Sequence, residues 1–271
     1  MLFRSDQEAQ RIGGIKILSA DGQNRVPKQT ADVESAIVQG VDGIIISPID
    51  VNAMAPALQQ AIDAGIPVVT VDRYVGGVPG IYAHVGADNV KGGEAQARLI
   101  MEQFPNGATI VNLQGQPGAS PAIDRNKGLH NILDGKSKYK IVAEQTANWS
   151  RDQGMSVTEN ILVGLSSPPD VINAANDDMA LGAMEAVKAR GLNVKILGFD
   201  ALPEAIAAVR DGSLMATVEQ FPGGQSKTAL NLLVNDLRSS MKPYNRVIFL
   251  NPITITSENY RKNAERIGEV K

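Results

Sequence analysis

Ala64-Gly-Ile-Pro-Val-Val-Thr-Val-Asp-Arg73 decides the architecture. Gly65 stops a helix and Pro67 opens a strand at its first residue, where a missing N–H is tolerated. Val68-Val-Thr-Val71 then runs without a polar break, the pattern of a strand covered on both faces of a parallel sheet. The same alternation recurs on either side. Short apolar runs fall at Ile15-Lys-Ile-Leu18, Gly43-Ile-Ile-Ile46, Ala108-Thr-Ile-Val-Asn-Leu113, Tyr139-Lys-Ile-Val142, Val171-Ile172, Val194-Lys-Ile-Leu-Gly198 and Leu214-Met-Ala-Thr-Val218. Stretches of helical period and length lie near 27–39, 51–64, 88–103, 121–133, 151–165, 177–190, 203–210 and 223–238. The class is α/β with doubly wound parallel sheets. One wide sheet and two smaller lobes both fit this alternation.

Composition limits the function. The 271 residues are 43% hydrophobic and 20% charged, a globular profile of a length that suits two modest domains. Twenty-six basic against 29 acidic residues leave a net charge of −3, which argues against nucleic acid as a partner. There is no cysteine, hence no disulfide, thiolate metal site or cysteine nucleophile. His84 and His130 are the only imidazoles, too few for a multi-histidine metal centre, and neither is assigned a role. No apolar run approaches membrane-spanning length, and Met1-Leu-Phe-Arg-Ser-Asp6 lacks the pattern of a signal peptide.

Ligands of open parallel sheets bind outside the carboxyl ends of the strands, so the residues following each apolar run are the informative ones. Ser47-Pro-Ile-Asp50 follows Ile44–Ile46, and Asp72-Arg73 follows Val68–Val71. Asn176-Asp-Asp178 follows Ala174-Ala175, Asp200 follows Ile196–Phe199, and Glu219-Gln220 follows Ala216–Val218. Planar and short polar groups of this kind suit a neutral ligand dense in hydroxyls, which donates and accepts at once. Trp149, the single tryptophan, lies just past the Tyr139–Gln145 run and offers a face for the C–H side of a sugar ring. Each residue also has a plainer use: Asp177 or Asp178 as a helix cap, Asp72 and Arg73 as a local ion pair, Trp149 as core. Their joint occurrence at successive strand ends favours the ligand.

Enzyme signatures are missing. No G-x-G-x-x-G follows a strand, no phosphate loop is present, and Gly118-Ala-Ser-Pro-Ala122 fails the nucleophile elbow at its last position. Gln114-Gly-Gln-Pro-Gly118 is a glycine-rich turn after a strand, able to approach a ligand. No catalysis and no cofactor are expected.

In order along the chain these stretches resemble the periplasmic monosaccharide-binding proteins of the ribose/galactose type. The resemblance is carried by Asp21-Gly-Gln-Asn24, Gln39-Gly-Val-Asp-Gly-Ile-Ile-Ile-Ser-Pro48, Ala64–Arg73, Gly86-Ala-Asp-Asn-Val-Lys-Gly-Gly93 and Leu113-Gln-Gly115. It continues through Asn176-Asp-Asp-Met-Ala-Leu-Gly182, Gly198-Phe-Asp200 and Thr217-Val-Glu-Gln-Phe-Pro222. It implies two α/β lobes, 1–87 plus 221–250 and 88–220 plus 251–271, joined by three crossing strands and closing on a sugar by a hinge motion. It implies that Asp72 and Arg73 grip hydroxyls from the first lobe. Arg125, Asn176, Asp200 and Gln220 would do so from the second lobe and hinge, with Trp149 stacked on the ring. It also implies delivery to an ABC permease, a periplasmic or outer-surface location, and a monomer. Ser47 stands where ribose-type members carry Asn, Ala87 replaces a hinge Ser, and Asn173 occupies a position that is usually apolar. These departures bear on which pentose or hexose is bound.

The amino terminus departs further. The family opens with a strand interior to the first sheet, whereas here Ser5–Ile12 resembles the helix that follows it. The expectation is unpaired backbone along the strands near 15–18 and 44–46, weaker sugar affinity, lower stability and possible pairing of the gap with another chain. The effector domain of lac-repressor-type regulators resembles the same fold and is the alternative. Such a regulator opens with a helix-turn-helix and a basic character, neither of which this chain shows.

Overall fold

The computed structural model describes residues 2–239 and 246–270. The chain divides into two compact units. Met1–Ala87, Gly118–Ser120 and Phe221–Leu250 form the first; Asp88–Pro117, Pro121–Gln220 and Asn251–Lys271 form the second. Met1, 240–245 and Lys271, which the expected lobe limits include, lie outside the described residues. The expected limits also placed 118–120 in the second lobe. These residues group with the first because Val51 N–H donates to the Gly118 carbonyl at 2.9 Å and Tyr74 N–H to Ser120 Oγ at 3.0 Å.

In the first unit, β1 (Ile44–Ile46), β2 (Val68–Val71), β3 (Ala83–Ala87) and β9 (Arg246–Leu250) form one parallel sheet in the order β1-β2-β3-β9. Helices α2 (Val26–Gln39) and α3 (Ala55–Asp63) cover one face, where Val33, Met54, Leu58 and Ala61 pack on Val68. Helix α9 (Pro222–Ser239) covers the other with Ala229 and Leu233 against Val69, Val71, Ala83 and Val85. Helix α1 (Leu2–Ile12) lies on α9, with Ala9 against Leu230 and Val234. The buried Glu8 carboxylate fixes that seat by accepting from Asn231 Nδ2 at 2.7 Å and Arg11 Nε at 3.0 Å.

Ile15–Leu18, expected as a strand, is not one. Ile15 and Ile17 pack beside Ile45, Leu230 and Val234 while Lys16 and Leu18 are exposed, an alternation of extended chain. Yet no backbone hydrogen bond joins this segment to any described residue. Apolar spacing buries alternate side chains; a strand also needs a neighbouring backbone in register. Strand β1 is therefore the sheet edge, its three isoleucines half-buried where β2 and β3 are buried throughout.

In the second unit, β4 (Ala108–Gln114), β5 (Tyr139–Thr146), β6 (Val171–Ala174) and β7 (Lys195–Leu197) form a parallel sheet in the order β5-β4-β6-β7. A two-stranded antiparallel sheet pairs β8 (Thr217–Glu219) with β10 (Ile253–Ile255), and a single bridge from Leu197 to Ala216 links the two. Helices α4 (Asn89–Gln103) and α5 (Ser120–Leu133) pack Ala97, Ile100, Leu129 and Leu133 on one face. Helices α6 (Arg151–Gly164), α7 (Asp177–Ala189) and α8 (Pro203–Arg210) pack Ile161, Met179, Ala183 and Val209 into the core of the other. A short α10 (Tyr260–Asn263) contributes little core beyond the partly buried Tyr260.

Candidate functional site

In the first unit, Ser47 follows β1, and Asp72 and Arg73 follow β2, as the strand-end pattern requires. Ser47 Oγ donates to Asp72 Oδ2 at 3.4 Å, and Arg73 Nε lies 3.9 Å from the same oxygen. Arg73 Nη1 also donates to the Ile49 carbonyl at 3.2 Å. The local ion pair is therefore real, and it orients the guanidinium. Asp72 has φ 65°, a conformation an L-residue adopts at a cost, held by its N–H donating to Val85 O at 2.9 Å. Gln29, absent from the sequence expectations, clamps the Ser47–Ile49 turn: Nε2 donates to Ser47 O and Oε1 accepts from Ile49 N–H, both at 2.9 Å.

In the second unit, Arg125 projects from α5, Trp149 follows β5, Asn176 follows β6, Asp200 follows β7 and Gln220 follows β8. The structure joins four of them directly. Arg125 is 4% exposed, and its guanidinium lies 3.5 Å over the Phe199 ring and 5.5 Å from the Trp149 ring. Its Nε donates to Asn89 Oδ1 at 2.9 Å, and Nη1 donates to Ala175 O at 2.6 Å and to Asp200 Oδ1 at 3.4 Å. Gln220 Nε2 donates to the same Asp200 oxygen at 2.6 Å. Asn89 and Phe199, the residues that fix the arginine's place, were not singled out from sequence; both lie in the quoted stretches Gly86–Gly93 and Gly198–Asp200.

Asn176 meets that cluster only at the Trp149 backbone. It caps α7, its Oδ1 accepting from Met179 N–H at 3.0 Å, while Nδ2 approaches Trp149 O at 3.4 Å. This corrects the expectation that Asp177 or Asp178 is the cap. Asp177 is fully buried instead, accepting from Thr217 Oγ1 at 2.7 Å and Leu202 N–H at 2.8 Å, and burial pushes its carboxyl well above the usual range. It thereby anchors the turn that carries Asp200.

Trp149 has φ 65° and Asp200 φ 109°, so with Asp72 three of the eight expected site residues sit in costly backbone conformations. The Trp149 indole lies over Gly115 so closely that a Cβ there would be 2.1 Å from Cη2. That is the use of the glycine-rich turn after β4. The clusters are chemically uniform, with guanidinium donors, carboxylate and amide acceptors and one aromatic face.

Parallel sheets with polar groups and strained backbone gathered at the carboxyl ends define a ligand-binding α/β protein. The chain belongs to the periplasmic binding protein domain family, whose model matches residues 6–239. It is 42% identical over 221 residues to the ribose import binding protein RbsB of Bacillus subtilis (strain 168), covering 80% of this chain and 70% of that one. It is 35% identical over 241 residues to a putative rhizopine-binding protein of Rhizobium meliloti, covering 85% and 77%. Among solved structures, a Caulobacter myo-inositol binding protein bound to myo-inositol matches with TM-score 0.94 and 44% identity over 99% of this chain and 91% of that one. A solute binding protein of an ABC transporter from Bacillus halodurans, also with bound myo-inositol, matches with TM-score 0.90 and 29% identity over 96% and 90%.

Proposed function

We propose that this chain captures a monosaccharide with the polar groups at its strand ends and hands it to an ABC permease. It acts as a monomeric carrier in the periplasm or at the outer face of the cell membrane, and it catalyses no reaction. The observation that carries the proposal is the Arg125 guanidinium, stacked on Phe199 beside Trp149 and held by Asn89, Ala175 and Asp200. An arginine held this rigidly keeps its guanidinium oriented beside the aromatic face without further loss of side-chain entropy, which suits hydroxyl recognition there. The import proteins among the relatives support the transport role, and the myo-inositol complexes support a ring dense in hydroxyls.

The test is a thermal-shift screen of the purified chain against pentoses, hexoses, inositols and nucleosides. A ligand that binds only the folded state raises the melting temperature. One monosaccharide is expected to give a clear rise that calorimetry confirms at one site per chain. A rise with nucleosides alone, or turnover of a bound sugar, overturns the proposal.

A further inference from the structure

Asn173 lies in β6 with neighbours that are otherwise apolar, Val171, Ile172 and Ala174, and it is 3% exposed. Its surroundings explain it. Nδ2 donates to Asn112 Oδ1 on neighbouring β4 at 3.0 Å. Asn112 Nδ2 in turn donates to Asn126 Oδ1 on α5 at 2.8 Å and to Glu144 Oε2 on β5 at 2.7 Å. A carboxylate can only accept, so Glu144 fixes which way the Asn112 amide faces. That fixes Asn173 with its Nδ2 toward Asn112, and Asn126 with its oxygen there. Two atoms are left over, Asn173 Oδ1 and Asn126 Nδ2, an acceptor and a donor. Asn173 Oδ1 is buried without a partner. Both residues line one small cavity of about 10 Å³ together with Gln96, Gln114 and Arg125. That is about one water-sized probe sphere, room for a single water, and a polar cavity with several partners holds water where an apolar one stays dry.

We infer that the second unit carries a water-binding site against Arg125, and that Asn173 and Asn126 are positioning residues acting on that guanidinium through the water. The water donates to Asn173 Oδ1 and accepts from Asn126 Nδ2. Its second proton and remaining lone pair serve the other polar groups of the cavity. A hydrogen-bonded chain from Glu144 through Asn112 thus ends on the arginine placed at the ligand. The effect on ligand affinity rests on the proposed function; the water site does not.

Two measurements need no ligand. Water-¹⁷O relaxation dispersion on the parent, Asn173→Leu and Asn126→Leu counts long-lived internal waters, and each variant is expected to hold one fewer than the parent. In ¹⁵N spectra, the Arg125 Nε–Hε peak, identified by its loss in Arg125→Lys, is expected to move in both variants while that of Arg151 stays. The parent alone is expected to show a water-selective NOE at the Asn126 amide protons, which decides the site even if a variant fails to fold. Absence of that NOE, an unchanged water count or an unmoved Arg125 peak overturns the inference. Whichever sugar the parent binds is expected to bind about tenfold more weakly to Asn173→Leu, one hydrogen bond's net worth. A parent that binds no sugar sinks the proposed function and leaves the water site standing. Unchanged affinity in a variant that has lost the water sinks the positioning role.

Discussion

Arg125→Ala removes a charged donor and leaves Asn89 Oδ1 and Ala175 O without it in a buried setting. Ligand affinity is expected to fall by about 1.5–3 kcal/mol per lost charge-assisted bond, read by calorimetry against the parent. Gly115→Ala tests the aromatic face separately. The added methyl must displace the indole, so the emission of this single tryptophan should shift and the affinity fall about tenfold, with the polar set intact. His84 supplies a pH signature. Buried against Tyr74 and Phe249, its Nδ1 lies 2.9 Å from Thr70 Oγ1, and burial pushes its pKa down from 6.5 to about 4. The unfolded ring therefore takes up a proton near pH 6.5 that the folded ring refuses until about 4. Its contribution is complete above 6.5 and drains away as pH falls toward 4, by about 3 kcal/mol in all. Urea titrations from neutral pH downward should show that slope in the parent and a flatter one in His84→Gln. At this scale the strand-end positions of Asp72, Trp149, Asp200 and Gln220 were legible, because they follow from where apolar runs stop. The dual use of Asn176 as a cap, and the supports given by Asn89, Phe199 and Gln29, were not. They depend on which helix crosses behind which strand end.

Elements were legible wherever burial on both faces wrote a continuous apolar run. Strands β2, β4 and β6 and helices α2 to α9 fall where the alternation predicts, within a few residues, whereas α1 was expected only from the family resemblance. Strand β3, Ala-His-Val-Gly-Ala, escaped because small and polar residues can line a sheet whose neighbours supply the bulk. Strand β9 escaped because its exposed Val247 and Phe249 alternate with half-buried residues at an edge, a weaker signal than an interior run. Ile15–Leu18 erred the other way, an apolar run with no backbone beside it. Hydrogen exchange distinguishes the two kinds of apolar segment. Ile44 N–H donates to Pro67 O, so alternation turns the Ile45 N–H to the open edge. The amides of Ile15–Leu18 and Ile45 should exchange at nearly the rate of unstructured chain, and those of Val69 and Val71 orders of magnitude more slowly. Protection of Ile45 that grows with protein concentration would reveal self-pairing along this edge.

At the scale of the molecule, neither unit is a contiguous piece of chain. The first returns for Phe221–Leu250 and the second for Asn251–Lys271. Helix α9 supplies the cover for β2 and β3, β9 the far partner of β3, and β10 the only partner strand of β8 among the described residues. The consequence is one of timing during synthesis. A ribosome that has released residues up to 220 has exposed most of the apolar surface of both units and completed neither. Closure waits for the stretch from Arg246 to Ile255, which finishes the two sheets almost together. Chains terminated just before Arg246 should lose protease resistance in both units at once, and chains ending just after Leu250 should recover it in the first unit alone. Until that stretch has emerged, the nascent chain is expected to need the protection of holding chaperones, because the apolar faces of both sheets stay uncovered or unpaired.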